Sequence, residues 1–242
     1  MKIATTDRRS TLRAGQHNRA LARLSLVLAA LGFIFGFARP ALAGPKPTTT
    51  ISVLVYNYAE VPRVILTTAE RQAFKLLGWA GVRVVWVDCL EKLLDIGSKE
   101  RCQSGWSAQT PGVRLLSGHV TGMYQDREFG FAAIPVLATV SYEHIERRAL
   151  RDNLLSDLPI ILGCVIAHEL GHLLLRDPSH SATGIMQPQW GQDQLHQALT
   201  GGLRFTTQQA NLIREHALTL GETNGKKYSR TESVLTAPQA IN

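Results

Sequence analysis

The pentapeptide HELGH at residues 168–172 is the part of the sequence whose residue types and spacing are best suited to chemistry. It lies in an apolar run, residues 158–175, in which the ionisable side chains besides Cys164 are those of His168, Glu169 and His172. The run predicts a buried helix, and burying three ionisable groups costs free energy unless something binds them. Positions four apart share one face of a helix, so the two imidazoles can bind one metal ion.

The spacing of these residues is typical of the zinc-binding helix of hydrolases. Glu169 lies next to the histidine face and can reach a metal-bound water without being a ligand. A catalytic zinc usually takes three protein ligands and keeps a fourth position for water. Pro178 breaks the helix and turns the chain back, so His180 is the expected third ligand. Asp177 is the alternative, because a carboxylate oxygen also binds zinc.

The segment 168–188 resembles the active-site segment of the metzincin zinc endopeptidases and is most similar to the matrix metalloproteinase type. That family has the pattern HExxHxxGxxH followed by a methionine turn. The matching positions are His168, Glu169 and His172, then His180-Ser181 for the third ligand and its serine, Gly184-Ile185-Met186 for the methionine turn, and Pro188 beyond it. Two positions depart from the pattern: His180 comes two residues late, and Leu175 stands at the family glycine.

The resemblance implies a zinc-dependent metallopeptidase, a hydrolase that cleaves peptides or proteins, and the N-terminal leader described below predicts that it is secreted. In that reaction a zinc-activated water attacks the peptide carbonyl with Glu169 as general base, and Zn²⁺ is the cofactor. His168, His172 and His180 would be the metal ligands, and Met186 a structural base beneath the metal. The substrate would add as a strand to the edge of the sheet, for which residues 131–140 are the candidate.

The elements around this segment predict an α/β fold, metzincin-like, with a mixed four-stranded sheet and an antiparallel edge strand. The predicted strands are 51–58, 82–87, 113–120 and 131–140. Pro135 predicts that the last of these is an edge strand, because proline cannot donate a hydrogen bond to a neighbouring strand. The predicted helices are 69–79 capped by Thr67 or Thr68, 142–150, the active-site helix from Asp157, and a C-terminal helix over 206–220. The sequence predicts a loop at residues 95–112 and a turn at residues 126–128. The first strand, helix and strand predict a parallel βαβ unit.

The first 43 residues have the three parts of a secretory signal peptide: a basic leader, an apolar stretch at 24–37 and a small-x-small site at 41–43. The whole chain has 26 basic and 19 acidic residues and a net charge of +7, and seven of the basic and one of the acidic residues lie in this leader. The remaining 19 basic and 18 acidic residues give a net charge of +1, which does not indicate a nucleic-acid partner. The signal peptide predicts export to the periplasm or medium, and the export route is left open. We also expect a monomer without stable membrane association after signal removal.

The predicted organisation is a signal peptide at 1–43, a linker at 44–50, a catalytic domain at 51–221 and a flexible tail at 222–242. In an oxidising compartment Cys89 and Cys102 could form a disulfide across a short loop, an open question at this level. Cys164 is expected to be a small buried side chain. No ligand spacing is seen for His119, His144, His196 or His216, and packing roles are expected for Trp79, Trp86, Trp106 and Trp190, of which Trp190 could line a substrate pocket.

Three alternatives remain open from the sequence. One is a zinc peptidase whose third ligand is a distant carboxylate, with Glu215 as the available residue. Another is an intramembrane peptidase, because the helix carrying HELGH is apolar enough for lipid. The last is a non-catalytic exported binding protein that zinc merely stabilises.

Overall fold

A computed structural model describes residues 49–91, 95–118 and 129–220. The elements in chain order are β1 (Thr49–Asn57), α1 (Arg63–Trp79), β2 (Val82–Asp88), α2 (Ile96–Ser104), β3 (Gly112–Leu116), β4 (Gly130–Ala133), β5 (Leu137–Ser141), α3 (Tyr142–Arg151), α4 (Leu158–Leu175), α5 (Gln192–Thr200) and α6 (207–220). The predicted leader and tail, most of the predicted linker, the turn at 126–128 and His119 lie outside the described residues.

The strands form one mixed sheet in the order β2-β1-β3-β5-β4. All neighbours are parallel except β4, which pairs antiparallel with β5 at the edge. The α/β class, the opening βαβ unit and the antiparallel edge strand are confirmed. The described part of the chain has five strands rather than four, because the predicted strand 131–140 is a hairpin. Pro135, which has no N–H for a strand ladder, lies in its turn.

The sheet has one face against α1 and α4 and a smaller apolar cluster on the other. Alternate residues of β1 point to opposite faces, so Ile51, Val53 and Val55 join the main core. Leu54 and Tyr56 point the other way, where they pack with Val87. The active-site helix is thus anchored on the larger core.

Helix α4 is apolar around its whole circumference, which is the pattern of a helix buried on all sides. It begins after a 3₁₀ turn, and Pro159 occupies its first turn, as predicted. In the described residues it is the helix long and apolar enough to cross a membrane. However, 83% of its apolar window is buried inside the protein, as in the core helix of a soluble protein.

Three local predictions were wrong. Helix α1 begins at Arg63 after Pro62, so Thr67 and Thr68 lie inside it and cap nothing. The predicted loop 95–112 contains α2, because the Asp95 carboxylate accepts a hydrogen bond from the Ser98 N–H and caps the helix. Helix α5 was not predicted, since nine residues with few apolar positions give little periodic signal.

A disulfide joins Cys89, just after β2, to Cys102 in α2. The open question of their pairing is therefore answered. Both sulfurs pack beside the smaller apolar cluster of Leu54, Tyr56 and Val87. The bond attaches a short polar helix to the outer face of the sheet, which explains how α2 is held with only Ser98 buried.

Helices α1 and α4 approach closely at Gly163. A Cβ at this position would lie 2.5 Å from the Ala69 carbonyl oxygen and 2.6 Å from the Gln72 Cβ. Gly78, on α1 itself, has nothing within 4 Å of its Cβ position. The two helical glycines therefore differ in the space around them.

Gly163→Ala is expected to lower the free energy of unfolding by about 1–3 kcal/mol, because backbone must move to admit the methyl group. Gly78→Ala is the matched control and should raise it by up to about 1 kcal/mol through helix propensity. Urea unfolding of both variants measures the difference. Equal effects at the two positions would contradict the close approach.

Candidate metal centre

The imidazoles of His168 and His172 lie one helical turn apart on α4, and both are buried, with 8% and 5% of their surface exposed. Their Nε2 atoms are 3.2 Å apart. The helix thus points both rings at one spot, as the spacing in the sequence predicts.

Backbone carbonyls determine which ring nitrogens carry protons. The Nδ1 atom of His168 is 2.7 Å from the Ile185 carbonyl oxygen, and that of His172 is 2.9 Å from the Asp177 carbonyl oxygen. A carbonyl only accepts, so each Nδ1 is the protonated donor and each neutral ring has its lone pair on Nε2. Two lone pairs that face each other at 3.2 Å are suited to holding a cation between them.

Both rings are held in the neutral form that binds metal. The pKa of His168 is lowered to about 3, mainly by burial and to a smaller extent by the neighbouring His172 and His180, although the hydrogen bond to Ile185 opposes the shift. Burial also lowers the pKa of His172. A proton therefore competes weakly for the Nε2 lone pairs near neutral pH.

The loop after α4 brings His180 to the same spot. One ring nitrogen from each of His168, His172 and His180 lies within 4.8 Å of the others. The predicted cofactor, Zn²⁺, suits three neutral imidazoles with an open fourth position. The ligand role of each histidine stays a prediction, and the geometry agrees with it.

The two competing ligands are not in this cluster. The carboxylate of Asp177 has a pKa below its usual value, mainly because of a hydrogen bond with the Ser179 side chain and also because the Ser179 N–H donates to it at 2.8 Å. Glu215 is exposed on α6 and is not part of the three-histidine group.

The chain reverses at Arg176, and this explains the late position of His180. Arg176 ends α4 in the left-handed conformation, with φ 56° and ψ 34°, a conformation that glycine adopts most easily. Leu175, at the family glycine, is still helical. The helix therefore continues past the glycine position before the loop begins, and a longer connection brings His180 back.

The residues that resemble the methionine turn lie against the zinc-binding segment of α4. Met186 is fully buried, and a Cβ on Gly171 would be 2.7 Å from its sulfur. The preceding carbonyl, of Ile185, is the one that accepts from His168. Met186 thus lies among core residues at the base of the site, where the resemblance placed it.

Glu169 points toward the edge strand rather than into the core. Only 4% of the residue is exposed, and it lines the same cleft as the three histidines. A Cβ on Gly130 of β4 would lie 2.8 Å from Glu169 Oε1. The missing side chain at Gly130 is therefore what lets the carboxylate lie against the strand, a role that the sequence alone did not reveal.

A cleft of about 360 Å³ opens in front of these groups. One wall is the strand segment from Phe129 to Ala132, and another is the segment 187–190. Trp190 stacks edge-on against His168 at 5.8 Å and against Phe129 at 6.2 Å. Packing was the leading expectation for Trp190, and the structure shows that it both packs and lines the cleft.

Two other residues discounted in the sequence have defined places. His216 of α6 bonds through Nδ1 to the Leu174 carbonyl oxygen at 2.8 Å, near the end of α4. Cys164 is a free, buried thiol beside Gln72, whose Nε2 lies 3.7 Å from its sulfur. Burial raises the pKa of Cys164 to about 12, so it is a neutral packing residue, as expected.

No protein-family model and no curated protein matches this sequence. Two solved structures are partly similar to it. A zinc-dependent peptidase from Methanocorpusculum labreanum (strain Z) has 15% identity and a TM-score of 0.47, over 66% of this chain and 99% of that chain. Archaemetzincin from Methanopyrus kandleri has 17% identity and a TM-score of 0.38, over 69% and 95%. Since both scores lie below 0.5, the chemistry of the site is interpreted from its own residues.

The metal-free protein is expected to lose stability as the pH falls from 6.5 toward 3. The unfolded chain protonates His168 near 6.5 and the folded chain only near 3, so the unfolded state binds more protons across this window. The slope is about 1.4 kcal/mol per pH unit for such a histidine. Urea unfolding in chelator at several pH values measures it.

His168→Gln should flatten this pH profile, whereas His196→Gln, at an exposed histidine, should not. Carboxylates also titrate in the window, so the comparison between the two variants isolates the histidine. A profile unchanged in His168→Gln would show that His168 is not held neutral by burial.

Proposed function

We propose that this protein is a secreted zinc-dependent metallopeptidase. The observation that carries the proposal is the pair of Nε2 lone pairs, 3.2 Å apart, whose partner Nδ1 atoms are fixed by backbone carbonyls. A third imidazole and a carboxylate line the same cleft. This combination is what metal-assisted hydrolysis of a carbonyl compound requires.

The residues fit zinc, because three imidazoles are a frequent ligand set for catalytic Zn²⁺. His168, His172 and His180 would hold the ion. When bound, zinc supplies Lewis-acid chemistry, by lowering the pKa of water to about 7 and by polarising a carbonyl. The hydrogen bonds from Nδ1 to Ile185 and Asp177 orient two of the rings and support their basicity.

Glu169 would move the proton. Its carboxylate can accept a proton from the attacking water at one Oε atom and then donate it to the amine nitrogen that leaves. The absence of a side chain at Gly130 leaves room for the carboxylate in the cleft. The walls exclude part of the bulk water, which strengthens these electrostatic interactions.

The edge strand would hold the substrate. In the described sheet β4 pairs with β5 on one side only, and β4 forms a wall of the cleft. An extended peptide could add to the other side through backbone hydrogen bonds. The candidate strand for substrate binding is thus β4, Gly130–Ala133, in place of the predicted strand 131–140. The likeness to the matrix metalloproteinase type stays a prediction.

Export is supported by two independent features. The leader at residues 1–43 has the composition of a signal peptide. The Cys89–Cys102 disulfide is of the kind that persists in oxidising compartments such as the periplasm or medium. Fractionation of cells that express the full chain tests the location, and retention of the protein with its leader in the cytoplasm would contradict it.

Glu169→Gln is expected to lower cleavage of a peptide library by about 10²–10⁴-fold, because it removes the proton acceptor. The zinc content, measured by elemental analysis, should stay near one ion per chain. Glu143→Gln, at a half-exposed surface carboxylate, is the matched control and should retain activity. Full activity in Glu169→Gln would contradict the role of Glu169 as proton acceptor, and a wild-type chain that binds zinc but cleaves no peptide would support a binding protein that uses zinc for stability.

His180→Ala is expected to weaken zinc binding, while Glu215→Ala and Asp177→Ala should leave it nearly unchanged, because only His180 lies with His168 and His172. Zinc content after dialysis against a weak chelator measures the effect. Zinc lost with Glu215→Ala alone would overturn the assignment of the third ligand.

A further inference from the structure

We propose that Gln209 of α6 is a positioning residue that holds Ser181, and through it His180, for metal binding. The inference rests on the proposed metal site and adds a residue outside the cleft to it. The link is a hydrogen bond of 3.1 Å from Gln209 Nε2 to Ser181 Oγ, between residues 28 apart in sequence.

His180 differs from the other two histidines in how it is supported. The rings of His168 and His172 lie on a buried helix, and each donates to a backbone carbonyl. His180 is exposed on a loop, and within the described residues no hydrogen bond holds its ring. Its ring contacts those of His168 and His172, with centroids 5.4 and 4.9 Å away, and its position otherwise depends on the backbone on either side of it.

Ser181 fixes that backbone on the C-terminal side. Its N–H donates to the Met186 carbonyl oxygen at 2.8 Å, and its hydroxyl donates to the Thr183 carbonyl oxygen at 2.7 Å. The Ser181 hydroxyl has one proton, and that proton is donated to the Thr183 carbonyl oxygen. In the contact with Gln209 the hydroxyl must therefore be the acceptor and Gln209 the donor. The amide of Gln209 provides this donor.

The start of α6 fixes the orientation of that amide. Gln209 Oε1 accepts from the Thr206 N–H at 3.0 Å, and the Gln209 N–H donates to Thr206 Oγ1 at 3.3 Å. This reciprocal pair is a capping box. Since the amide oxygen is committed to an N–H, the amide nitrogen faces Ser181. One side chain therefore caps a helix and holds the third-ligand loop.

The helix that carries Gln209 is itself attached to the zinc-binding helix. Ile213 and Ala217 of α6 are fully buried in the main core, and His216 bonds to the Leu174 carbonyl oxygen. The chain just before α6 accepts the Ile185 N–H at the Arg204 carbonyl oxygen, 2.8 Å away. The loop that carries His180 and the helix α4 are thus both attached to α6 or to the chain just before it. Gln209 therefore donates to Ser181 from a helix that is itself fixed in the core.

Four variants separate positioning from a general effect on stability. Gln209→Glu keeps an oxygen for the Thr206 N–H but has no hydrogen to donate to Ser181. Ser181→Ala removes the acceptor and leaves the capping box intact. Thr206→Ala weakens the box and leaves the Gln209 amide facing Ser181. Gln208→Glu places the same added charge one residue away, on an exposed position.

Zinc affinity is measured by competition with a chelator, and stability by urea unfolding of the metal-free protein. Gln209→Glu and Ser181→Ala should each weaken zinc binding about tenfold, as for other residues that hold a metal ligand in place without touching the metal. The double variant should be no weaker than either single one. Thr206→Ala should lower stability and change affinity less than twofold, and Gln208→Glu should match the wild type in affinity.

A second readout does not need the metal. Hydrogen exchange of the Ser181 amide, which donates to Met186, should be faster in metal-free Gln209→Glu than in Gln208→Glu. Unchanged exchange together with unchanged affinity in Gln209→Glu would overturn the inference, as would affinity that follows stability across all four variants. If the wild-type chain binds no zinc but Ser181 exchange is still faster in Gln209→Glu than in Gln208→Glu, the proposed function is overturned. The role of Gln209 in positioning the loop is then retained.

Discussion

The site depends on two hydrogen bonds from imidazole Nδ1 atoms to backbone carbonyls. They commit the protons of His168 and His172 to one side of each ring and leave two lone pairs facing each other in a buried place. Both carbonyls, those of Asp177 and Ile185, belong to the loop that also carries His180. The fold of that loop and the protonation of the helix histidines are therefore set together.

Several features elsewhere in the molecule serve this arrangement. An apolar helix buried on all sides gives the histidines a fixed base and makes their charged forms costly. Gly130 provides room for the Glu169 carboxylate at the edge strand. Arg176 ends α4 in the left-handed conformation, and the loop that follows brings His180 to His168 and His172.

The last helix links the parts of the site that lie far apart in sequence. It contacts the end of α4 through His216 and the third-ligand loop through Gln209. In the proposed metal site His180 would lose conformational freedom on binding the ion, and the hydrogen bond from Gln209 to Ser181 would reduce that loss by ordering the loop beforehand.

The sequence alone determined the α/β class, the βαβ opening and the buried helix that carries His168, Glu169 and His172, because helical and strand periodicity and local spacing carry that information. It predicted His180 as a third ligand and left Asp177 as the alternative. It did not determine α2, α5, the hairpin at Pro135 or the cleft-lining role of Trp190. Helix α2 is held by the Asp95 cap and the Cys89–Cys102 disulfide, so it needs no periodic apolar pattern in the sequence. The tertiary structure alone decided that Gly130 lies against Glu169 and that Gln209 reaches Ser181, because such contacts join residues whose sequence separation leaves no pattern to read.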